Sequence, residues 1–418
     1  MKKIEIKYNN EENTNYGNYI FIDLLYEYDI RNTKKFFYVL FIIVFSIVII
    51  NIQLYSKNMI DLTKYKKFVR DCKSFIRYDR NKIYSKIPYF AICLSALNME
   101  NYIEKNLLSI INQSFQDFEI IIINDKSIDE TENIIKRIQL EDDRIKIISH
   151  SKNLGVYRSR IESILNSQSK YILLMDPDDM YINENLLKEL YDYNLNYNID
   201  IIEFIVFQQF DGKNKIFSPN NPFETHYHHF QKNIIFQPEL SEILYYIPGT
   251  KEYSHTICRN IWNKMIRREI FIKTYKYIGK EYYNDFVITA DDMIMNVISY
   301  QFAENYTNIN IPGYLYIIRK ISMSRGDGGK ELMQIRALNH FSYFKIFYKY
   351  LKDYRKDRNF LYYEMKDLNR FILYLKESDN IQYKLNEINF IKQMMKDKLI
   401  SEEFKSHLNN LLLFFQNK

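Results

Sequence analysis

The sequence predicts an α/β fold with a mostly parallel sheet flanked by helices, on three observations. From Pro88 onward, short and nearly continuous apolar runs alternate with stretches of helical period. An apolar fraction of 47% over 418 residues is enough to fill a core. The residues of most chemical character follow directly after the apolar runs, where open α/β sheets bind ligands.

The strands read as YFAICL (Tyr89 to Leu94), FEIIII (Phe118 to Ile123), RIKIIS (Arg144 to Ser149) and YILLM (Tyr171 to Met175). Helical periods cover Tyr102 to Gln113, Glu130 to Leu140 and Val156 to Asn166. Strands that are apolar at every position must be buried on both faces, which places helices above and below the sheet. Lys330 to Lys418 reads as amphipathic helices, a helical C-terminal region suited to packing or assembly rather than chemistry.

Ahead of this body lie a polar tail, 1–35, an uncharged apolar run within 36–55, and a Lys-rich stem, 56–87. About 20 residues of helix at about 1.5 Å each reach the roughly 30 Å of a hydrocarbon layer, so 36–55 is expected to be a single transmembrane helix. No small-residue cleavage pattern follows it, which argues against a signal peptide. The expected location is thus a membrane, that of the Golgi or endoplasmic reticulum if the source is eukaryotic. Lys57, Lys64, Lys66, Lys67 and Arg70 after the span favour a cytoplasmic C-terminal part. The triplets Asn112 with Ser114 and Asn305 with Thr307 favour a lumenal one, so the sequence leaves the side undecided.

The net charge of +6 is spread out without a basic stripe, which excludes nucleic acid as a partner. Cys72, Cys93 and Cys258 have neither metal-ligand nor disulfide-framework spacing and read as structural. His226, His228 and His229 lie on a polar, loop-like segment and read as solvated.

The strand ends carry the chemistry. Asn98 follows the first strand, and Asn124 and Asp125 follow the second. Ser127 and Glu130 have the spacing of a capping box. Asp125 reads equally as a turn residue or as an acceptor for a ring N–H. After YILLM come Asp176, Pro177, Asp178 and Asp179. A turn followed by an Asp-capped helix, MYINENLLKEL, accounts for one or two of these carboxylates. Three of them repel one another unless a cation intervenes, and a hard divalent ion, Mn²⁺ or Mg²⁺, carrying a diphosphate would meet that need. Asp291 and Asp292 begin a later helix, where the helix dipole favours acidic residues; capping explains one, and the other is available as a general base. Between the clusters, Lys264, Arg267 and Arg268 are surface charges or, for Lys264, a phosphate contact.

In this order the residues resemble family 2 of the nucleotide-sugar glycosyltransferases, which have the GT-A fold. ALNMENYIEKNLLSIINQSFQDFEIIIINDKSIDET resembles its opening strand, helix and second strand; NLGVYRSR and YILLMDPDD resemble its Asn-Gly-Arg segment and Asp-x-Asp signature. The resemblance implies uridine reading by Asp125, ribose or metal contact by Asp176 and metal coordination by Asp178. Arg160 falls among the donor-binding positions. WNKMIRREIF and ADDMIMN resemble later segments, which puts Asp292, with Asp291 beside it, in the place of the acceptor-activating base. YLYIIRKISMS resembles the closing strand, making Arg319 a donor or acceptor contact. Ser95, Leu97 and Asn98 stand where the family commonly has Pro, an aromatic and Asn; Lys126 replaces a Gly, and Ile161 follows Arg160 where Asn is frequent.

The expected organisation is therefore a catalytic domain over 88–325 behind a membrane anchor. The expected activity is metal-dependent, inverting transfer of a sugar from a nucleoside diphosphate, UDP in the first instance, to a hydroxyl of a glycan, lipid or protein. A nucleotidyltransferase is the rival enzyme class, but SALNMEN lacks the Gly-rich, basic loop that it would need. A degenerate sugar-nucleotide-binding protein is the non-enzymatic alternative, against which the intact Asp125, Asp176–Asp179 and Asp292 set argues.

Overall fold

The computed structural model describes residues 67–68, 87–212, 216–217, 234–237, 240, 260–280, 282, 286–289, 291–319, 329–354 and 381–416. The expected anchor at 36–55, the tail before it, nearly all of the stem, and His226, His228 and His229 lie outside the described residues. Among the described residues, no helix is long and apolar enough to cross a membrane.

Strands and helices alternate as expected from Pro88: β1 (Phe90–Ala96), α1 (Ile103–Ile111), β2 (Phe118–Asn124), α2 (Thr131–Gln139), β3 (Ile145–Ser149), α3 (Val156–Asn166) and β4 (Tyr171–Met175). Next come β5 (Met180–Tyr181), α4 (Leu186–Tyr197), β6 (Ile201–Phe210), β7 (Ile216–Phe217), β8 (Ile235–Phe236), β9 (Lys264–Arg267) and α5 (Arg268–Ile278). The last are α6 (Asp291–Phe302), β10 (Asn305–Ile318), α7 (Gly329–Tyr354), α8 (Ile381–Met395) and α9 (Glu402–Gln416).

One sheet runs in the order β3-β2-β1-β4-β9-β6-β10-β5, with β7 on β6 and β8 on β10. The six long strands β1, β2, β3, β4, β6 and β10 share one direction, and only the short strands β5, β7, β8 and β9 oppose it. Within β1, Phe90, Ile92 and Leu94 face the core that includes Ile103 and Leu107 of α1, Ile135 of α2 and Leu187 of α4. Ala91 and Cys93 face the other core, shared with Ile161 of α3, Phe271 of α5, Ile294 of α6 and Phe341, Phe344 and Phe347 of α7. Burial on both faces is why the strands show no polar alternation.

The sequence does not announce β9, since KMIR offers only Met265 and Ile266 as apolar residues. It nevertheless fills the middle of the sheet, antiparallel to β4 and β6, with Lys264 opposite Glu203. The Asp-capped helix expected from Met180 is not formed. Met180 and Tyr181 pair with β10, and the helix begins six residues on, at Leu186.

The helical tail does more than cover a face. Asn339 of α7, itself buried, accepts the amide of Ile288 through Oδ1 (2.9 Å) and donates Nδ2 to the carbonyl of Phe286 (3.0 Å). Between those two residues, the Val287 carbonyl accepts the Tyr157 amide at 3.4 Å, at the start of α3.

Candidate active site

Two loops are joined first. Asn98, after β1, has φ 54°, a left-handed conformation that Asn tolerates. Its amide donates to Ser127 Oγ (3.0 Å) and its Oδ1 accepts the Ile128 amide (2.9 Å). The Met99 amide donates to Thr131 Oγ1 (2.6 Å), and the Glu100 amide to Asp129 Oδ2 (3.1 Å). The Ser127–Glu130 capping box is therefore replaced. Asp129 Oδ1 accepts the Thr131 amide (3.1 Å) at the start of α2, while Ser127 serves the neighbouring loop. Lys126, at φ 67°, adopts the conformation that a Gly holds most readily. Ser95 and Leu97 are half-buried beside this loop pair.

Asp125 is buried, and its two oxygens are engaged from one side. Oδ1 accepts the Leu154 amide (2.8 Å) and lies 2.7 Å from His150 Nδ1; Oδ2 accepts the Gly155 amide (2.9 Å). His150 Nε2 in turn lies 2.7 Å from Glu162 Oε2. Asp125 thus ties the end of β2 to the entry of α3. Gly155 there has φ 90°, and a Cβ on it would lie 2.6 Å from the Val287 carbonyl.

What α3 delivers is Arg160. Buried to 7% exposure, it donates Nη1 to Asp291 Oδ2 (2.5 Å) and Nη2 to Asp176 Oδ1 (2.6 Å). The carboxylates around it raise its pKa, outweighing the penalty that burial places on the charge. One guanidinium therefore joins the end of β4 to the start of α6, elements far apart in sequence.

The Asp176–Asp179 cluster divides into two roles. Asp179, buried, accepts the Tyr314 hydroxyl (2.8 Å) and the Ile317 amide (2.7 Å), both from β10. Burial, then Asp178 and Asp176, push its pKa well above the carboxylate range. Asn106, on the buried face of α1, donates Nδ2 to the carbonyls of Asp176 (3.0 Å) and Asp179 (2.8 Å) and so fixes the turn. Asp176 and Asp178 keep side-chain exposures of 28% and 13%. Asp178 Oδ2 lies 2.7 Å from Arg319 Nε, directly after β10. Burial, then the neighbouring Asp176, lift the Asp178 pKa to about 6 despite that arginine. The charges that hold the cluster together in this structure are therefore those of Arg160 and Arg319. Among the described residues, no group of three or more His, Cys, Asp or Glu side chains is placed to hold a metal ion by itself.

Asp291 and Asp292 open α6 with different partners. Asp291 is buried against Arg160, whereas Asp292 is half-buried and accepts the Met293 amide with Oδ1 (2.9 Å). Burial, and then the charge of Asp291, raise the Asp292 pKa to about 7, with Arg160 opposing. A carboxyl balanced near neutrality is suited to taking a proton from a hydroxyl.

Lys264 departs from expectation. It is fully buried on β9, and its Nζ donates to the Asn260 carbonyl (2.5 Å) and to Asn263 Oδ1 (3.2 Å), 3.3 Å from Glu203 Oε2. Its charge is spent inside the sheet rather than offered to a phosphate. Asn106, His150 and Tyr314 belong to the site's framework and were not legible as such. For Asn106 the signal was a polar residue on the apolar face of IEKNLLSII. Of the two triplets that suggested a lumenal side, Asn112 is buried, and Asn305 is half-buried with Oδ1 accepting the Asp200 amide.

Residues 91–274 match the model of glycosyl transferase family 2. The chain is 27% identical over 236 residues to the glycosyltransferase GlyA of Streptococcus pneumoniae, a match covering 56% of this chain and 31% of that protein. With the processive diacylglycerol beta-glycosyltransferase of Mycoplasma pneumoniae it shares 24% identity over 286 residues, 67% of this chain and 77% of the relative. A crystal structure of S. aureus TarS 1–349 in complex with UDP is matched at a TM-score of 0.49 and 16% identity, over 78% of this chain and 87% of that one. The chain spans less than half the length of GlyA and of two Haemophilus influenzae glycosyltransferases that it also matches. With its strand-end carboxylates arranged as described, the segment 91–274 is similar to glycosyl transferase family 2.

Proposed function

We propose that the protein transfers a sugar from a nucleoside diphosphate, UDP in the first instance, to an acceptor hydroxyl, with inversion at the anomeric carbon. The observation that carries this reading is the Arg160 bridge, which brings the Asp176–Asp178 end of β4 and the Asp291–Asp292 start of α6 around one place. Donor and base functions there become neighbours. Asp292, with its pKa near 7, takes the acceptor proton as the oxygen attacks. Asp291 and Arg160 hold it in position, and Asp125 sets the entry of α3 from which Arg160 extends.

Asp176 and Asp178 fit a divalent cation as two partly exposed carboxylates, whereas Asp179 does not, both its oxygens being occupied by β10. When bound there, Mn²⁺ or Mg²⁺ would neutralise charge on the departing diphosphate. The remaining oxygen ligands fall to donor and water, in keeping with the lack of a complete protein cage among the described residues.

Of the three acceptor classes, glycan, lipid and protein, the lipid class draws support from the Mycoplasma relative's name and from the apolar run at 36–55, which we take as a single membrane span. The test is incubation of the full-length protein with a panel of sugar nucleotides and diacylglycerol-containing vesicles, in Mn²⁺ or in chelator, with the product's anomeric configuration read by NMR. Transfer from a UDP-sugar in Mn²⁺ alone, with inversion, is expected. Pyrophosphate release from a nucleoside triphosphate and a sugar phosphate would overturn the reading in favour of a nucleotidyltransferase.

A further inference from the structure

The two arginines of the carboxylate cluster are held very differently. Arg160 makes directed hydrogen bonds to Asp176 and Asp291 at 2.6 and 2.5 Å and is buried to 9% side-chain exposure. Arg319 has twice that exposure, 18%, and lies against one face of the cluster with its Cζ 5.3 Å from the ring centre of Tyr102. Its Nε meets Asp178 Oδ2 at 2.7 Å, a contact with a single carboxylate, where Arg160 bridges two. The contact of its Nη1 with the Met99 sulfur, at 4.0 Å, is weak. A guanidinium that meets one carboxylate through one nitrogen gives up less on leaving than one whose two nitrogens each hold a different carboxylate.

Asp178 is also one of the two carboxylates offered to a cation in the reading above, on which this inference rests. A divalent ion and the Arg319 guanidinium therefore compete for the same oxygen. We infer that Arg319 is an exchangeable counter-ion of Asp178, occupying it in the donor-free enzyme, yielding it to the divalent cation, and moving its charge to the donor's diphosphate. The consequence is thermodynamic coupling. Free cation binds weakly because it must displace Arg319, and the diphosphate strengthens cation binding by giving Arg319 a second anion to pair with. Coupling of this kind is reciprocal, so the cation strengthens diphosphate binding by the same factor. Arg160 cannot take this part, because leaving Asp176 would also uncover Asp291.

The test measures binding, not turnover. Mn²⁺ affinity is determined by electron paramagnetic resonance and calorimetry for the full-length protein, with and without UDP, in wild type, Arg319→Gln and Arg319→Lys. Without UDP, Arg319→Gln is expected to bind Mn²⁺ about tenfold more tightly than wild type, within the usual range of coupling between linked ligands. The factor by which UDP improves Mn²⁺ affinity is expected to shrink in Arg319→Gln. Arg319→Lys, which keeps a competing charge, should resemble wild type. If Arg319→Gln is not folded by circular dichroism, Arg319→Met carries the same expectation. Equal Mn²⁺ affinity of the neutral variant and wild type without UDP, with UDP still improving both, overturns the role of Arg319 and leaves the metal-dependent reading standing. UDP affinity that is the same in chelator and in Mn²⁺ for all three proteins overturns both.

Discussion

Asp291 and Asp292 are adjacent, yet they have different partners, Arg160 for the first and the Met293 amide for the second. Asp292→Asn retains an acceptor for the Met293 amide, so the fold should persist and UDP should bind, while turnover falls by about 10²- to 10⁴-fold in a single-turnover assay. Asp291→Asn should act through Arg160 and through the charge it presents to its neighbour. That charge raises the Asp292 pKa, so its loss should move the acid limb of the pH–rate profile below the wild-type position near pH 7. The sign follows from the base role: turnover rises as Asp292 loses its proton, so wild type should lose about tenfold per pH unit well below 7. Stability runs the other way. A carboxyl with a raised folded-state pKa binds more protons folded than unfolded between about pH 4 and 7, so its contribution to stability falls as pH rises through that window. The melting temperature of Asp292→Asn should therefore gain on that of wild type as the pH is raised from about 4 to 8 in a series of thermal scans. In the sequence the pair could be seen at a helix start, but the division between them could not, because it depends on Arg160, over a hundred positions earlier.

At the scale of elements, the strands of the first half were legible because each is apolar at every position and so must be buried on both faces. β9 was not, since its identity is set by what lies on either side. Lys264 is tolerable mid-sheet because Glu203 stands opposite it on β6 and Asn260 and Asn263 accept its protons. The helix expected after Asp179 failed for a similar reason: β10 supplies a hydroxyl and an amide that the Asp179 carboxyl takes in place of a cap. Turn chemistry offers a cleaner test. Lys126 sits at φ 67° on the surface, so Lys126→Gly exchanges steric strain of about 1–2 kcal/mol for the smaller entropic cost of glycine. A net gain of about 0.5 kcal/mol in chemical denaturation is expected. Gly155→Ala should cost about 1–3 kcal/mol, because its Cβ meets the Val287 carbonyl and the positive φ disfavours it. The same change should weaken UDP binding, since the Gly155 amide is one of those held by Asp125.

For the whole molecule, the helical tail proves inseparable from the sheet. Phe341, Phe344 and Phe347 are buried in the core that α5 and α6 also line, and uncovering each would cost about 1.5–3 kcal/mol. Removal of 330–418 should therefore give an aggregated product in size-exclusion chromatography. Removal of 1–56, outside the described residues, should release the protein from membranes while leaving donor hydrolysis intact. Retention of the full-length protein on membranes through alkaline carbonate would support the proposed span.

The Asn339 contacts bear on what counts as a transferable part. The family segment ends at residue 274, before Asp292, before residues 286–289 ahead of it, and before the asparagine that fastens those residues to α7. On the function proposed above, exchanging only 91–274 between relatives would carry the Asp125 and Asp176–Asp179 residues across and leave Asp292 behind a foreign loop. Such chimaeras should bind nucleotide yet transfer poorly, and extending the graft through α7 should restore transfer. The unit that selection can shuffle is thus longer than the unit that sequence similarity marks out.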